Sequence, residues 1–522
     1  MLGQNVNFLR NRGTMIALLC CMILLTSCSD NTQKTEGNEL GEKSVTILHS
    51  LPNESLDPHN EWIALRAGIT ETLLRLDDNM QVAPWLAVKW EAKDDHTWQF
   101  IIRDGVTFQD GTKLDAAAAK ASFERAIADS KALAAALKIK NMEASGQVIT
   151  FTTTEPHPAF ATELVHPTAS IVSITAENKM GKAAFNKAPV GTGPFQVNGY
   201  IPGQEISLSR FDGYWDGKAK LSAVKFLFNA DANVRTLAFQ SKHADIVYHL
   251  APEALGTIGQ DPQLAVQSVP SLRTHYFTYN PKSTSVSDIL VRKAIDKLID
   301  RDTIVKDIML GHANPSNGPF HSLLPFGNKG GYTKFNPQEA LTLLASAGYK
   351  NNRNGKLEKN GNVLQLKLIA FSGINPELPL IPLLLQSEAA KIGVDIQILS
   401  VEYPDVYIKD HTDWDLSTSS YLTSPRGDGA SFINAAYVPG GSYNPANIRL
   451  DQLDPILKEL NVTGDVQTRN LLIQKAVKVI NEANVHSFII HPNILVGVNQ
   501  RVLNWKPGAE EFYIVTNKMD VR

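Results

Sequence analysis

Two hydrophobic periods alternate along the chain. Apolar residues recur at every second position in "HTWQFIIRDGVTF" (His96–Phe108) and "QVITFTTTE" (Gln147–Glu155), each bounded by turn residues, which predicts strands. "SVTILHS", from Ser44, is a further apolar-rich strand candidate. Helical spacing takes over in "EWIALRAGITETLLRL", through Ile63, Ala67, Leu73 and Leu74. The alanine-rich "KLDAAAAKASFERAIA" predicts a helix with Asp115 at its N-cap. Further helices are predicted over "DILVRKAIDKLIDRDTIVKDIML", "NPQEALTLLASAG" and "LIPLLLQSEAAKIG", the last two stopping at Gly348 and Gly393. Strands "LQLKLIAF" and "VDIQILS" flank the last of them. That strand–helix–strand order predicts an α/β lobe with a partly parallel sheet. "NNRNGKLEKNGNVL" (Asn351–Leu364) predicts a polar hairpin with Asn-Gly turns.

At 522 residues the chain exceeds one ordinary hydrophobic core, so two or more lobes are expected. Its formal net charge of −3, with no long basic block, lacks the footprint that nucleic-acid binding requires. The N-terminus changes the picture. Arg10 and Arg12 precede an apolar run from Met15 to Leu25 and then small residues, the layout of an export signal. The run is too short for a transmembrane helix. "LTSC" (Leu25–Cys28) resembles the lipobox of bacterial lipoproteins, which implies cleavage before Cys28 and lipid attachment to its thiol. All three cysteines (Cys20, Cys21, Cys28) lie in this segment, so the mature chain would have neither a disulfide framework nor a cysteine metal site. Losing residues 1–27 removes two arginines and no acid, taking the charge from −3 to −5. Ser29–Lys43 is nearly free of apolar residues and predicts a flexible tether.

Enzyme signatures are missing. The sequence contains no P-loop, no GxSxG elbow, no HExxH and no CxxC pair, and "GTGPF" lacks the third glycine of a dinucleotide loop. Asp94 and Asp95 lie at a strand entry and read as turn residues. A binding protein, not an enzyme, is expected. His59, in "SLDPHNEWIALRAG", sits in a turn between proline and asparagine. It is either a surface turn residue or an open imidazole suited to nickel, copper or zinc.

From about Val45 onward, several segments are similar to the extracytoplasmic substrate-binding proteins of dipeptide, oligopeptide and nickel ABC importers. Ala83–Ala126 carries Leu86, Ala87, Trp90, Thr97, Trp98, Phe100, Arg103, Gly105, Val106, Phe108, Asp110 and Gly111 in the family's order. "APVGTGPFQV" resembles its GTGPF turn. "FDGYWDG" resembles its N-x-Y-W segment, with Asp212 for Asn, and "VRTLAFQSKHADIVY" carries His243 where the family has glycine. "VRKAIDKLIDRDTIV" and "FNPQEALTLLASAGY" match two later segments.

The resemblance implies a two-lobed α/β periplasmic-binding-protein fold (type II, large cluster) with hinge strands and a small inserted subdomain. After a signal peptide (1–27) and tether (28–43), the first-lobe core would comprise 44–80, 190–274 and 496–522. The inserted subdomain would span 81–189 and the second lobe 275–495. It implies a monomeric lipoprotein on the outer side of the cell membrane, anchored through Cys28. That lipoprotein would deliver its ligand to ABC permease subunits, with no prosthetic group and no nucleic-acid partner.

Two ligand classes compete within that family: a chelate of nickel or a related divalent metal, and a di- or oligopeptide. Peptide-binding relatives use an aspartate of a "D-P" turn for the α-ammonium. The matching "SYLTSPRGDGASF" has Arg426 near that place and Asp428 two residues on. An arginine there favours a carboxylate-rich ligand. By comparison with relatives, Tyr421 stands where an aromatic platform meets the chelate. "SLRTHYFTYN" resembles the strand crossing between lobes, with Arg273, His275 and Phe277 on one face and Arg273 turned to the cleft. Thr168 replaces the chelator-binding arginine of the best-known nickel binders, and "SKALAAALK" replaces their arginine and tryptophan. A second branch uses one early and one late histidine, which implies His59 and His491 as metal donors. Such donors are expected to lose affinity as pH falls through about 6.5.

Overall fold

One mixed sheet of twelve strands runs through the computed structural model, which describes residues 43–51, 53–371 and 375–522. The expected signal peptide, Cys28 and nearly all of the tether lie outside these residues. Six strands place the site: β1 (Ser44–His49), β2 (Ala223–Phe228), β3 (Ile246–Tyr248), β4 (Arg273–Tyr279), β5 (Leu416–Leu422) and β6 (His486–Asn499). The spatial order is Asp395–Val401, Gln365–Phe371, β5, β4, β6, β3, β1, β2, Glu205–Arg210, Phe195–Ile201.

β1 is parallel to both β2 and β3, so the carboxyl ends of β1 and β3 emerge side by side. Ligands in open α/β sheets bind outside such ends. β6 joins the two halves of the sheet. Its first residues pair with β4, and its last seven pair with Leu264–Pro270. The chain therefore passes from one half to the other twice, once along β6 and once through Leu264–Pro270 into β4.

Each half has its own core on both faces of the sheet. Alternation along β4 puts Phe277 and Tyr279 in one cluster and Tyr276 in the opposite one. Along β1, Val45 and Ile47 face one cluster while Leu48 faces another. A separate four-stranded sheet (Ala87–Ala92, Thr97–Ile102, Val148–Thr153, Ile139–Ser145) packs with the helix Ala116–Asp129 around Phe100, Phe123 and Phe151. Asp115 caps that helix by accepting from the Ala118 N–H at 2.8 Å, as its sequence predicts.

Two expected helices are shorter than the pattern suggests. The run from Glu61 is helical only over Ile63–Arg66. Gly68 then takes φ +68, and a β-carbon there would lie 2.9 Å from the Val515 carbonyl, so the chain turns away and Leu74–Leu76 forms a strand. The run from Asp288 is helical over Ile289–Lys297 and restarts at Arg301, where Asp300 accepts from the Thr303 N–H at 3.0 Å. The "GTGPF" turn is packed backbone to backbone. A β-carbon on Gly191 or Gly193 would lie 2.3 or 2.2 Å from the carbonyl oxygens of Ile69 and Gly68. Gln109 locks this crossing by donating to the carbonyls of Ile69, Gly193 and Phe195.

Candidate functional site

Where the sheet halves meet, the strand ends gather charged and imidazole side chains out of water. His49 is the last residue of β1 and His249 directly follows β3. Glu511 arrives from the C-terminal tail, and one ligand atom from each of the three lies within 4.8 Å of the others. They are 1%, 6% and 1% exposed, which makes any unmet polar atom among them costly. The His249 ring is fixed by Ser50, whose Oγ lies 2.7 Å from Nδ1, and its Nε2 is 3.6 Å from Glu511 Oε2. His49 Nδ1 accepts from the Leu51 N–H, while its Nε2 and both Glu511 carboxylate oxygens have no hydrogen-bond partner among the described residues.

Two guanidinium groups border this space. Arg66 donates to the Glu511 carbonyl at 2.8 Å. Arg273 places Nη2 3.8 Å from Glu511 Oε1, and Nη1 makes only long hydrogen bonds to Ser420, at 3.3 and 3.4 Å. Burial pushes the Glu511 carboxyl up, but Arg273, His249 and Arg66 outweigh it and hold the group ionised. Burial, reinforced by His249 and Arg66, keeps the His49 imidazole neutral. One β4 step beyond Arg273, His275 Nε2 lies 2.8 Å from Glu377.

The candidates read from sequence fall into two groups. His59, Arg426 and Asp428 line one cavity of about 560 Å³, together with Tyr443, against which Tyr421 stacks at 4.6 Å. Arg273 and His491 belong instead to the crossing strands, where His491 Nδ1 meets the Arg273 carbonyl at 3.1 Å. Both His59 nitrogens are engaged. Nδ1 accepts from Arg125 at 2.8 Å, and Nε2 meets the Ser170 carbonyl at 3.0 Å. Burial, and then Arg125, lowers its pKa to about 4. His491 is likewise committed, to the Arg273 carbonyl and to Ser316 Oγ, and burial takes its pKa to about 3. No hydrogen bond or ring contact links the two histidines among the described residues, and in this arrangement neither presents a free lone pair.

Asp428 accepts two hydrogen bonds from Arg469, at 2.8 and 3.0 Å, which occupies the anion that a peptide ammonium would need. Tyr421 gives its hydroxyl to Asp405 and lies between Tyr443 and Tyr276. Arg426 Nε lies 2.8 Å from Glu163 Oε2 without hydrogen-bond alignment, so the contact is an ion pair across the cavity.

The family model for bacterial extracellular solute-binding proteins, family 5 middle, matches residues 81–444. The chain belongs to that family. This family-5 protein is 31% identical over 473 residues to the nickel-binding protein NikA of Staphylococcus aureus, covering 91% of this chain and 93% of the relative. Among solved structures it resembles a nickel ABC transporter protein from Bacillus halodurans, at 41% identity and TM-score 0.75, covering 92% of this chain and all of the other. It also resembles S. aureus NikA in complex with Ni(L-His)2, at 30% identity and TM-score 0.82, with the same coverage. The architecture is that of the two-lobed solute-binding proteins, as expected from the sequence, and these proteins bind cargo for transport outside the cytoplasm. No helix among the described residues is long and apolar enough to cross a membrane.

Sequence reasoning missed His49, His249 and Glu511. A signal was present for the two histidines: His49 ends the strand "SVTILH" and His249 directly follows the strand "IVY". Only parallel pairing of β1 with β3 makes those two ends neighbours.

Proposed function

We propose that this protein is the solute-binding lipoprotein of an ABC importer, capturing nickel or a related divalent metal as a small-chelator complex such as nickel–histidine. It works as a monomer held by lipid at Cys28 and passes the complex to the permease. The observation that carries this is the convergence of the Arg66 and Arg273 guanidinium groups at the strand ends, beside His49 and His249. Two guanidinium groups in one place suit a ligand that carries carboxylates, as a small metal chelate does. Arg273, with only weak hydrogen bonds of its own, is free to grip a chelator carboxylate, and Arg426 closes the cavity from the second lobe. The relatives of highest identity described above are nickel proteins. The competing peptide ligand requires an anion for its ammonium, and Asp428 is already held by Arg469.

Isothermal titration calorimetry tests the assignment. Nickel with two equivalents of L-histidine is expected to bind, and a panel of di- and tetrapeptides is not. Peptide binding with no response to the nickel complex would make the protein a peptide importer's receptor.

A further inference from the structure

We infer that the protein carries a second ligand site, apart from the cleft, in which Arg75 and Arg103 hold the carboxylate of a small planar organic acid beside the rings of Trp85 and Trp215.

The site is a cavity of about 450 Å³, a size that takes small organic ligands. Its lining comes from residues 65–103, 194–216 and 504–518, and none of it from β4, β5 or β6. No wall of the cavity therefore belongs to the opposite half of the sheet. The C-terminal tail screens it from the strand-end cluster. Glu510 lines the cavity, while the next residue, Glu511, faces Arg273.

The charged groups around this cavity are unevenly committed. Glu71 accepts hydrogen bonds from Tyr214, Trp215 and Thr192. Asp77 accepts the Asn79 and Gln81 N–H groups, and Asp78 pairs with Lys506 at 2.7 Å. The two arginines are not engaged in the same way. The half-buried Arg75 guanidinium makes no hydrogen bond or ion pair among the described residues. It lies over the rings of Trp85 and Tyr513, 5.2 and 4.6 Å from their centroids. Arg103 lies over the Trp215 ring at 4.4 Å, and only its Nε is engaged, by the Trp85 carbonyl at 3.0 Å. A guanidinium held by a ring face keeps its N–H donors in its own plane, so both arginines still offer the fork that grips a carboxylate. Burial raises the pKa of Glu510 and takes that of Glu71 to about 7, so these carboxyls offset less of the positive charge.

The walls define the rest of the ligand. A bare inorganic anion would occupy little of the cavity and leave the indole rings against water. A flat apolar body covers them while a carboxylate at its edge meets the guanidinium groups. Asp77, Asp78, Asp216 and Glu510 line the same cavity and disfavour a multiply charged anion, so a single carboxylate is the charge that fits.

Calorimetric titration of the mature, metal-free protein with benzoate tests the site. One benzoate per protein is expected, with inorganic phosphate weaker by about tenfold or more. Arg75→Gln should weaken benzoate by about tenfold, the effect of losing a hydrogen bond to a charged group. Arg273→Gln, which alters the cleft, should leave benzoate affinity unchanged. No benzoate binding, loss in Arg273→Gln in place of Arg75→Gln, or phosphate binding as tight as that of benzoate would overturn the inference and leave the proposed function standing. Failure to bind the nickel complex, in its own titration, would remove the proposed function and leave this site standing.

Discussion

Arg426 and Glu163 face each other across the cavity at 2.8 Å, one from the loop after β5 and the other from the short helix Phe160–Glu163. Their side chains are only 16% and 10% exposed, so each would be poorly solvated without the other. The pair therefore favours the arrangement in which the two walls are close. Arg426→Ala leaves Glu163 buried and alone, and affinity for the nickel complex should drop by about 2 kcal/mol. In Arg426→Gln/Glu163→Gln part of that loss should return, because no lone charge remains. A double-mutant cycle by calorimetry measures the coupling, and a coupling of zero would mean that the pair does not contribute to closure.

Glu71 gives stability a pH dependence between about pH 4.5 and 7. Burial raises its pKa to about 7, against hydrogen bonds from Tyr214, Trp215 and Thr192. The folded state thus holds a proton that the unfolded chain releases near pH 4.5. This contribution to stability is complete below pH 4.5 and is lost as pH rises through about 7. Glu71→Gln should flatten the fall in melting temperature between pH 4.5 and 7, measured by differential scanning calorimetry.

The buried histidines act in the opposite direction. His59, His486 and His491 have pKa values lowered to about 4, 3 and 3, chiefly by burial, with Arg125 adding to the effect on His59. Their folded forms are neutral, so the stability they support is present above pH 6.5 and is lost as pH falls through about 4 and below. His59 alone should account for up to about 3 kcal/mol of acid destabilisation. Urea titrations from pH 7 to 4 should show the loss, and His59→Gln should reduce it. The expectation from sequence that protein imidazoles titrate near 6.5 does not hold for these groups, because burial disfavours their charged forms.

Gly193→Ala should destabilise the protein by about 3 kcal/mol, since the new methyl group would meet the Gly68 carbonyl at 2.2 Å. Gly331→Ala is a control for packing: like Gly193 it does not sit at positive φ, and nothing lies within 4 Å of its added carbon. Equal melting temperatures for Gly193→Ala and wild type would contradict the close crossing at the "GTGPF" turn.

That turn also shows what sequence conveys and what it does not. Local features were legible because their causes are local: the Asp115 cap, the stops at Gly348 and Gly393 with φ +94 and +85, and the parallel strands around Leu380–Lys391. The helix expected through Gly68 failed because its end is decided by the distant Val515 carbonyl. The grouping of His49, His249 and Glu511 was hidden for the same reason on a larger scale. His49, His249 and Glu511 share no spacing that a motif could express, and they meet only through β1–β3 pairing and the return of the C-terminal tail. His59 drew attention by its turn, yet Arg125 and Ser170 occupy it.

Anomalous diffraction at the nickel edge, from crystals grown with nickel and L-histidine, tests the central claim most directly. A single nickel peak whose chelator places a carboxylate on Arg273 is the predicted result. A nickel complex that leaves Arg273 untouched, or peptide density with no peak at all, would contradict it.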